Sequence, residues 1–547
     1  MAGKKDFNMD AKMIDFSFFS IVSYGLLSMD NTINSSHLMI RDEKMERMNA
    51  PINSGNDRKS EERSIEEFLA NSVIFVTGAT GYLGKAIVEK LLHSCSRIST
   101  IYILIRSKNN VSIEQRFKHL LENCLFDEIR KKDPGILNKI HLIKGDITLP
   151  DLGLSSSDKN LLIERVNIVF HVAATVKFNE PLKKAVVTNT KSPLYILELC
   201  KSMKNLMSCV YISTAYSNPN ISIIEETIYD INIKPSTIID MCNGLNDELL
   251  NVLESKILET FPNTYTFTKN LAEKIIKING AGLPIAIVRP SIIFAAIKHP
   301  FPGWIDDSIQ GITDLTIGAC RGIIRVINGN KNNKANIVPI DYVTDTIICV
   351  AWYTTIQCDN TIKIYNCTNN GNSLTWDKYS SSIIKFSRKL LFKTMVWYPN
   401  VILVNNRYIF KILIFFLHTL PALVYDVFAK LLGNKIRIMK YVMHMNYKLH
   451  LLKYFLLNDL KFQNDNMIEL QKNVKTLKDC DNFIIDIQNL DWDKYIEKCV
   501  LILNTHNLSV SKHSLTTRSR LVTLYCIKQI AELSLVTLLL VFVLYIS

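Results

Sequence analysis

An α/β fold is predicted for this 547-residue chain: a doubly wound parallel sheet, then a mainly helical C-terminal domain and a terminal apolar helix. Three observations carry that expectation. Between residues 73 and 294, short apolar runs rich in β-branched residues alternate with segments of helical spacing, the pattern of parallel strands buried on both faces. The first of these runs breaks into three glycines spaced G-x-x-G-x-x-G. The chain closes on an apolar stretch, 530–546, preceded by Arg518 and Arg520. Composition agrees with a large core, since 48% of residues are hydrophobic and 21% charged. Twelve cysteines without a C-x-x-C pair argue against a zinc site or a disulfide framework and for reduced thiols, and no metal site is expected. The net charge of +13 favours anionic ligands or surfaces. No run interleaves Lys and Arg with aromatics, so nucleic acid is not an expected partner.

Taken in order, residues 1–63 are rich in Met, Asn and Ser and read as a poorly ordered extension. Ser64 then caps a short helix. Val73 to Val76 is the first strand, and Leu83, Ile87, Val88, Leu91 and Leu92 give the helix that follows the glycines. A strand, a glycine turn and a helix let backbone approach a pyrophosphate and aim a helix N-terminus at its charge. Thr77, Gly78, Ala79, Thr80, Gly81, Tyr82, Leu83 and Gly84 are therefore candidate dinucleotide-binding residues. The second strand, Thr100–Ile105, ends at Arg106, with Lys108 two residues on. An acid at this position meets a ribose 2′-hydroxyl and an Arg accommodates a 2′-phosphate, which favours NADPH over NADH. The third strand, 140–147, places Asp146 and Ile147 where an adenine edge is met.

A fourth strand, 166–174, runs into Ala173, Ala174 and Thr175, small enough for close passage of a cofactor. Asn189 lies near the start of the next helix, 185–200. The fifth strand, 209–216, runs out into Ser213 and Thr214. Ligands gather at the carboxyl ends of parallel strands, so these hydroxyls mark the chemistry. Tyr265 and Lys269, four apart, share one face of an amphipathic helix. An ammonium beside a phenol favours the phenolate and lowers its pKa, which suits proton transfer near neutral pH. Pro290, with Ile292 beyond it, is expected to wall the nicotinamide, and the turn 301–306 to border a substrate mouth. The predicted division is a Rossmann-type NADPH-binding catalytic domain over 64–370, a second domain over 371–505, and a linker with a membrane segment over 506–547.

These segments resemble the extended short-chain dehydrogenase/reductases, and within them the eukaryotic fatty acyl-CoA reductases of the insect type. The resemblance rests on Thr77 to Lys85, Arg106, Gly145 to Ile147, His171 to Phe178, Ile212 to Tyr216 and Tyr265 to Glu273. It continues through Arg289 to Ile292, Pro302 to Asp306 and Val338 to Asp341. Past the first domain it takes in Trp397 to Pro399, Tyr408 to Leu432, Tyr454, Phe455, Phe462 and Leu490 to Tyr495. The chain departs from the family at Asp307 (usually Asn, with a Gly-Pro that is missing here), His299, Lys191 and Cys499 to Leu501. The resemblance implies NADPH-dependent reduction of a long-chain acyl-CoA to a fatty alcohol in two hydride steps, with CoA released at an aldehyde-level intermediate. It implies Tyr265 as the proton donor, Lys269 as the residue that tunes it and holds the nicotinamide ribose, and Thr214 or Ser213 as the hydrogen-bond donor to the substrate oxygen. Two competing readings are a membrane-bound hydroxysteroid-type dehydrogenase of the same superfamily and a non-catalytic lipid-binding protein.

The 530–546 stretch is interrupted by Glu532, Ser534 and Thr537 and is short for a ~20-residue span. With its basic flank it reads as a tail anchor to membrane lipid, at the endoplasmic reticulum or peroxisome, with the catalytic domain in the cytosol. Tyr408 to Leu432 also looks membrane-like, interrupted by Lys411, His418, Pro421 and Asp426. Asn507-Leu-Ser509 matches a glycosylation sequon. Chain-length preference and oligomeric state are left open.

Overall fold

Alternation inside each apolar run decides which face of the sheet a side chain meets. Ile74 and Val76 enter one core, Phe75 the other, and all three are fully buried. Each such side chain contributes roughly 1.5–3 kcal/mol on burial, so a run buried on both faces reads as unbroken apolar sequence. The computed structural model places these runs in one seven-stranded parallel sheet. It describes residues 64–530 apart from 231, 307–310, 358–360, 370, 372–373, 391, 393–394, 434–436 and 507–518, and beyond 530 only Leu533, Ser534 and Thr537. The extension 1–63, Asp307, the sequon at Asn507 and most of the 530–546 stretch therefore lie outside the described residues.

The strands are Val73–Thr77 (β1), Thr100–Ile105 (β2), Ile140–Lys144 (β3), Ile168–His171 (β4), Ser208–Ile212 (β5), Ile285–Pro290 (β6) and Lys363–Cys367 (β7), in spatial order β7-β6-β5-β4-β1-β2-β3. β1 pairs with both β2 and β4, so the strand order reverses around it. That reversal places the ligand crevice expected of a doubly wound sheet at the carboxyl ends of β1 and β4. Tyr82–Ser94 (α1) begins at that crevice; Ile113–Leu121 (α2) follows β2 and Thr264–Asn279 (α3) precedes β6. α1 and Ile340–Gln357 (α4) share the core on one face, while α3 packs on the other.

The C-terminal part is laced into this body. Strand Ile402–Val404 pairs with Val326–Asn328, and Lys461–Phe462 with Ile223–Ile224. A buried ion pair adds a further tie: Lys90 of α1 lies 3.1 Å from Asp345 of α4, and donates to the Asn482 carbonyl at 2.6 Å. Among the C-terminal helices are Arg407–Leu431 (α5, widened by a π-helical turn at Phe415–Thr419), Ile438–Leu457 (α6) and Trp492–His506 (α7).

Candidate active site

The glycine turn is shaped by backbone contact. Gly78 sits at φ +77°, and a Cβ there would stand 2.7 Å from the Ala173 nitrogen. A Cβ on Gly84 would strike the Gly78 carbonyl, so α1 packs against the loop only because the residue is glycine. Thr77 accepts from the Ala173 N–H at 3.3 Å and meets His171 Nδ1 at 2.8 Å, which locks the ends of β1 and β4 together. Burial, and then the Lys269 charge, depress His171 to about 3, so it is neutral. This bare cradle at the N-terminus of α1 fits a dinucleotide pyrophosphate. Two members of the predicted set point elsewhere. Leu83 packs into the core, and the Tyr82 hydroxyl donates to the Phe294 carbonyl at 3.0 Å while its ring lies 5.0 Å from Trp304. The turn 301–306 is thereby held against α1, with Trp304 buried and Lys85 paired to Asp306 at 2.5 Å.

At the adenosine end Arg106 pairs with Asp146 at 3.2 Å, and Asp146 also accepts from Thr148. Ile147 is buried. Arg116 of α2, which the sequence reading did not single out, donates to Thr80 Oγ1 at 2.7 Å and to the Arg106 carbonyl. Lys108 is pulled below its ordinary pKa by burial and then by Arg116, Arg106, Lys177 and Lys184. That is a concentration of cations at the carboxyl end of β2.

The helix expected over 185–200 is Leu182–Ala185, a π-helical turn Val186–Lys191 and Ser192–Ser202 in succession. Asn189 sits in the widened turn and is buried. It accepts from the Thr175 N–H at 2.9 Å and donates to the Thr175 carbonyl at 3.0 Å and to Thr268 Oγ1 at 3.0 Å. One amide thus joins the Ala173–Ala174–Thr175 loop, on which Gly78 rests, to the helix that carries Tyr265 and Lys269.

α3 starts beside that loop because the Asn263 side chain accepts from the Thr266 N–H. Lys269 donates to the Ile212 carbonyl at 2.6 Å and to the Tyr211 hydroxyl at 3.2 Å. Burial depresses it to about 7, and only the Glu273 charge opposes that fall. Tyr265 is pushed up to about 12 by burial, against a hydrogen bond with Thr214. The expected lowering of this phenol by Lys269 is therefore not what the structure gives. Burial outweighs the hydrogen bond, and Lys269 is turned to β5. The high value keeps the proton on Tyr265 at neutral pH, the state an acid needs.

Ser213 and Thr214 separate here. Ser213 donates to Glu273, which also holds Arg289 in a fork at 2.9 and 2.7 Å, all three buried. Thr214 faces Tyr265. Pro290 ends β6 and Ile292 opens the next short strand, half-buried. Phe178 stacks on Tyr265 at 6.0 Å and meets Phe455 of α6 at 5.4 Å. Beside them lies a cavity of about 250 Å³ lined by Phe178, Pro262, Asn263, His450, Lys453 and Tyr454, among others. The sequence reading missed Glu273, Arg289 and Asn263 as parts of the site. Only the four-residue repeat Tyr265, Lys269, Glu273 was there to signal one of them.

Fold and site define a class: an oxidoreductase of the extended short-chain dehydrogenase/reductase type, built around a nicotinamide dinucleotide. A family model described as Male sterility protein, of the NAD-binding type, matches residues 76–347, and a second one, Sterile, also described as Male sterility protein, matches residues 417–509. "Fatty acyl-CoA reductase 1" of Mus musculus is 37% identical over 435 residues, 79% of this chain and 84% of that protein. "Fatty acyl-CoA reductase wat" of Drosophila melanogaster is 34% identical over 433 residues, 79% and 83% of the two chains. Among solved structures, the terminal R domain of the myxalamid PKS-NRPS pathway shares the fold, with a TM-score of 0.53 at 18% identity over 81% of this chain and 93% of that one. The chain belongs to the fatty acyl-CoA reductases.

Proposed function

We propose that this protein reduces long-chain fatty acyl-CoA to fatty alcohol with NADPH, releasing CoA at an aldehyde-level intermediate. The observation that carries the reading is the Asn189 bridge, which ties the loop beneath Gly78 to the helix of Tyr265 and Lys269. The relatives' names support the acyl substrate, and the cations around Lys108 support NADPH.

When bound, the nicotinamide supplies hydride. Gly78, Gly81 and Gly84 would hold the pyrophosphate, Arg106, Lys108 and Arg116 the 2′-phosphate, and Pro290 and Ile292 would wall the ring. Tyr265 gives its proton to the oxygen that becomes negative as hydride arrives at the carbonyl carbon. Thr214 hydrogen-bonds that oxygen, a contribution of typically a few kcal/mol. Lys269, in its ammonium form, would hold the nicotinamide ribose, while burial keeps the proton on Tyr265 until the substrate oxygen takes it. The first reduction leaves a hemithioacetal that expels the thiol; the second takes the aldehyde to the alcohol through the same donors. Attachment to a membrane of the endoplasmic reticulum or peroxisome through the 530–546 stretch, with the catalytic body in the cytosol, belongs to this reading.

The test is NADPH consumption by the detergent-solubilised full-length chain with long-chain acyl-CoA, products identified by mass. Fatty alcohol that disappears in Tyr265→Phe is the expected result. Absence of alcohol at every chain length, with NADPH still bound, defeats the proposal.

A further inference from the structure

α5 is 25 residues long, about 37 Å at 1.5 Å per residue, and apolar on nearly every side. A helix of that kind is ordinarily buried in a core or in lipid. Here the protein covers little of it: Ala422, Ala429 and His418 are buried, while Ile412, Phe415, Val427, Phe428 and Leu431 stand 49–77% exposed. Of the 31 exposed large apolar side chains among the described residues, fifteen fall between Tyr408 and Tyr447. So large a concentration marks an interaction surface rather than scattered surface apolarity.

Charge selects the partner. Residues 407–457 carry eight Lys and Arg against one acid, Asp426, and of the eight Lys448 is paired to Asp314 at 2.8 Å. That acid is turned to the start of α6, where it accepts from the Ile438 and Met439 N–H groups at 2.7 and 3.1 Å. The outward charge is therefore cationic, which suits anionic headgroups around an apolar patch. His418 fixes the orientation. Midway along α5, in the π-helical turn, its Nε2 accepts from the Arg325 and Val326 N–H groups at 2.9 and 3.3 Å, and its Nδ1 meets Asn446 of α6 at 2.9 Å. A helix bonded at its midpoint to a strand of the catalytic body lies along that body. Its length and composition suit a crossing, but this anchorage does not.

We propose that α5 and the first half of α6 form a flat docking face that seats the protein in the headgroup region of an anionic bilayer. The face is distinct from the 530–546 stretch and does not depend on it. α6 runs on from the face to His450, Lys453 and Tyr454 at the cavity beside Tyr265. An acyl chain entering from the leaflet would reach the site along that helix. This last step rests on the proposed reaction; the lipid face does not.

The test uses the full-length chain with Cys124, Cys358, Cys480 and Cys526 changed to Ser and a single surface cysteine introduced for an environment-sensitive nitrobenzoxadiazole label. Ile412→Cys and Phe428→Cys report the face, Ile530→Cys the C-terminal segment, and Ile278→Cys an exposed apolar position elsewhere. Each is mixed with vesicles of phosphatidylcholine and phosphatidylserine, with and without doxyl-labelled lipid. A blue shift with doxyl quenching at 412 and 428, and neither at 278, is expected. Quenching at 530 alone overturns the proposal and leaves the C-terminal segment as the membrane contact. A blue shift at 412 and 428 without quenching also overturns it, because protein, such as a second copy, then covers the face.

Discussion

Replacing Glu273 by Gln tests how the site sets its own working pH. Glu273 follows Lys269 by one helical turn, and its charge is the force that keeps Lys269 as high as about 7 against burial. The groups around that ammonium are Tyr211 of β5, His171 of β4, and Tyr265 and Glu273 on its own helix. Two charges roughly 6 Å apart at an effective dielectric of about 20 interact by about 3 kcal/mol, or about two pKa units. Loss of that charge should pull the Lys269 ammonium further down by about that much. A lysine acts here only while protonated, so activity is full below its pKa and is lost as pH rises through it. In the parent enzyme that loss should be centred near pH 7, where burial places Lys269. In the variant it moves two units more acid, and the rate at pH 7 falls about 50-fold as the charged fraction drops from one half to about one in a hundred.

Glu273→Gln also strands the buried Arg289 charge, at a cost of about 3–5 kcal/mol of stability. The double variant Glu273→Met/Arg289→Met removes both charges and should recover most of that loss while leaving Lys269 without its anion. The assay is kcat/KM against pH, from 5 to 9, beside thermal unfolding of each variant. If the double variant is stable and its alkaline limb coincides with that of the parent, Glu273 only holds the fold, and the reasoning fails.

Other consequences follow from single contacts. Thr214→Ala should lower kcat by about 10²–10³-fold at unchanged NADPH affinity, whereas Ser213→Ala, whose hydroxyl is committed to Glu273, should mainly lower the melting temperature. Arg116→Ala removes a charge-assisted donor worth about 1.5–3 kcal/mol, so KM for NADPH should rise roughly 10–100-fold while KM for NADH stays put; equal effects on both would detach Arg116 from the 2′-phosphate. Gly78→Ala places a methyl 2.7 Å from the Ala173 nitrogen at a φ of +77°, and dinucleotide binding, read by fluorescence titration, should be lost in a chain that still folds. Lys90→Met leaves Asp345 buried without its ion-pair partner, and urea unfolding should register about 3–5 kcal/mol.

How much of this was legible depended on the distance over which each feature is encoded. The strands of the sheet, the glycine turn and the placement of Tyr265 with Lys269 are written in neighbouring residues. Val73 to Val76 cannot be anything but a buried strand once Gly78 stops it, and two residues four apart on α3 face the same way whatever surrounds them. The electrostatics of the pair was not local. Whether Lys269 lowers Tyr265 depends on the Ile212 carbonyl and the Tyr211 hydroxyl, which compete for the ammonium from a strand more than fifty residues away. Ser213 and Thr214 are adjacent and chemically alike, and what separates them is Glu273 on another element, itself fixed by Arg289. Asn189 could be placed near a helix start but not on a π-helical turn, because the widening accompanies bonds to Thr175 and Thr268 that only the folded chain supplies. The same holds for α5. Its apolarity is plain in the sequence, but a core helix and a lipid-facing helix read alike. What tells them apart is exposure, since Ile412, Val427, Phe428 and Leu431 stand in the open while His418 is pinned by the backbone of a strand some ninety residues upstream.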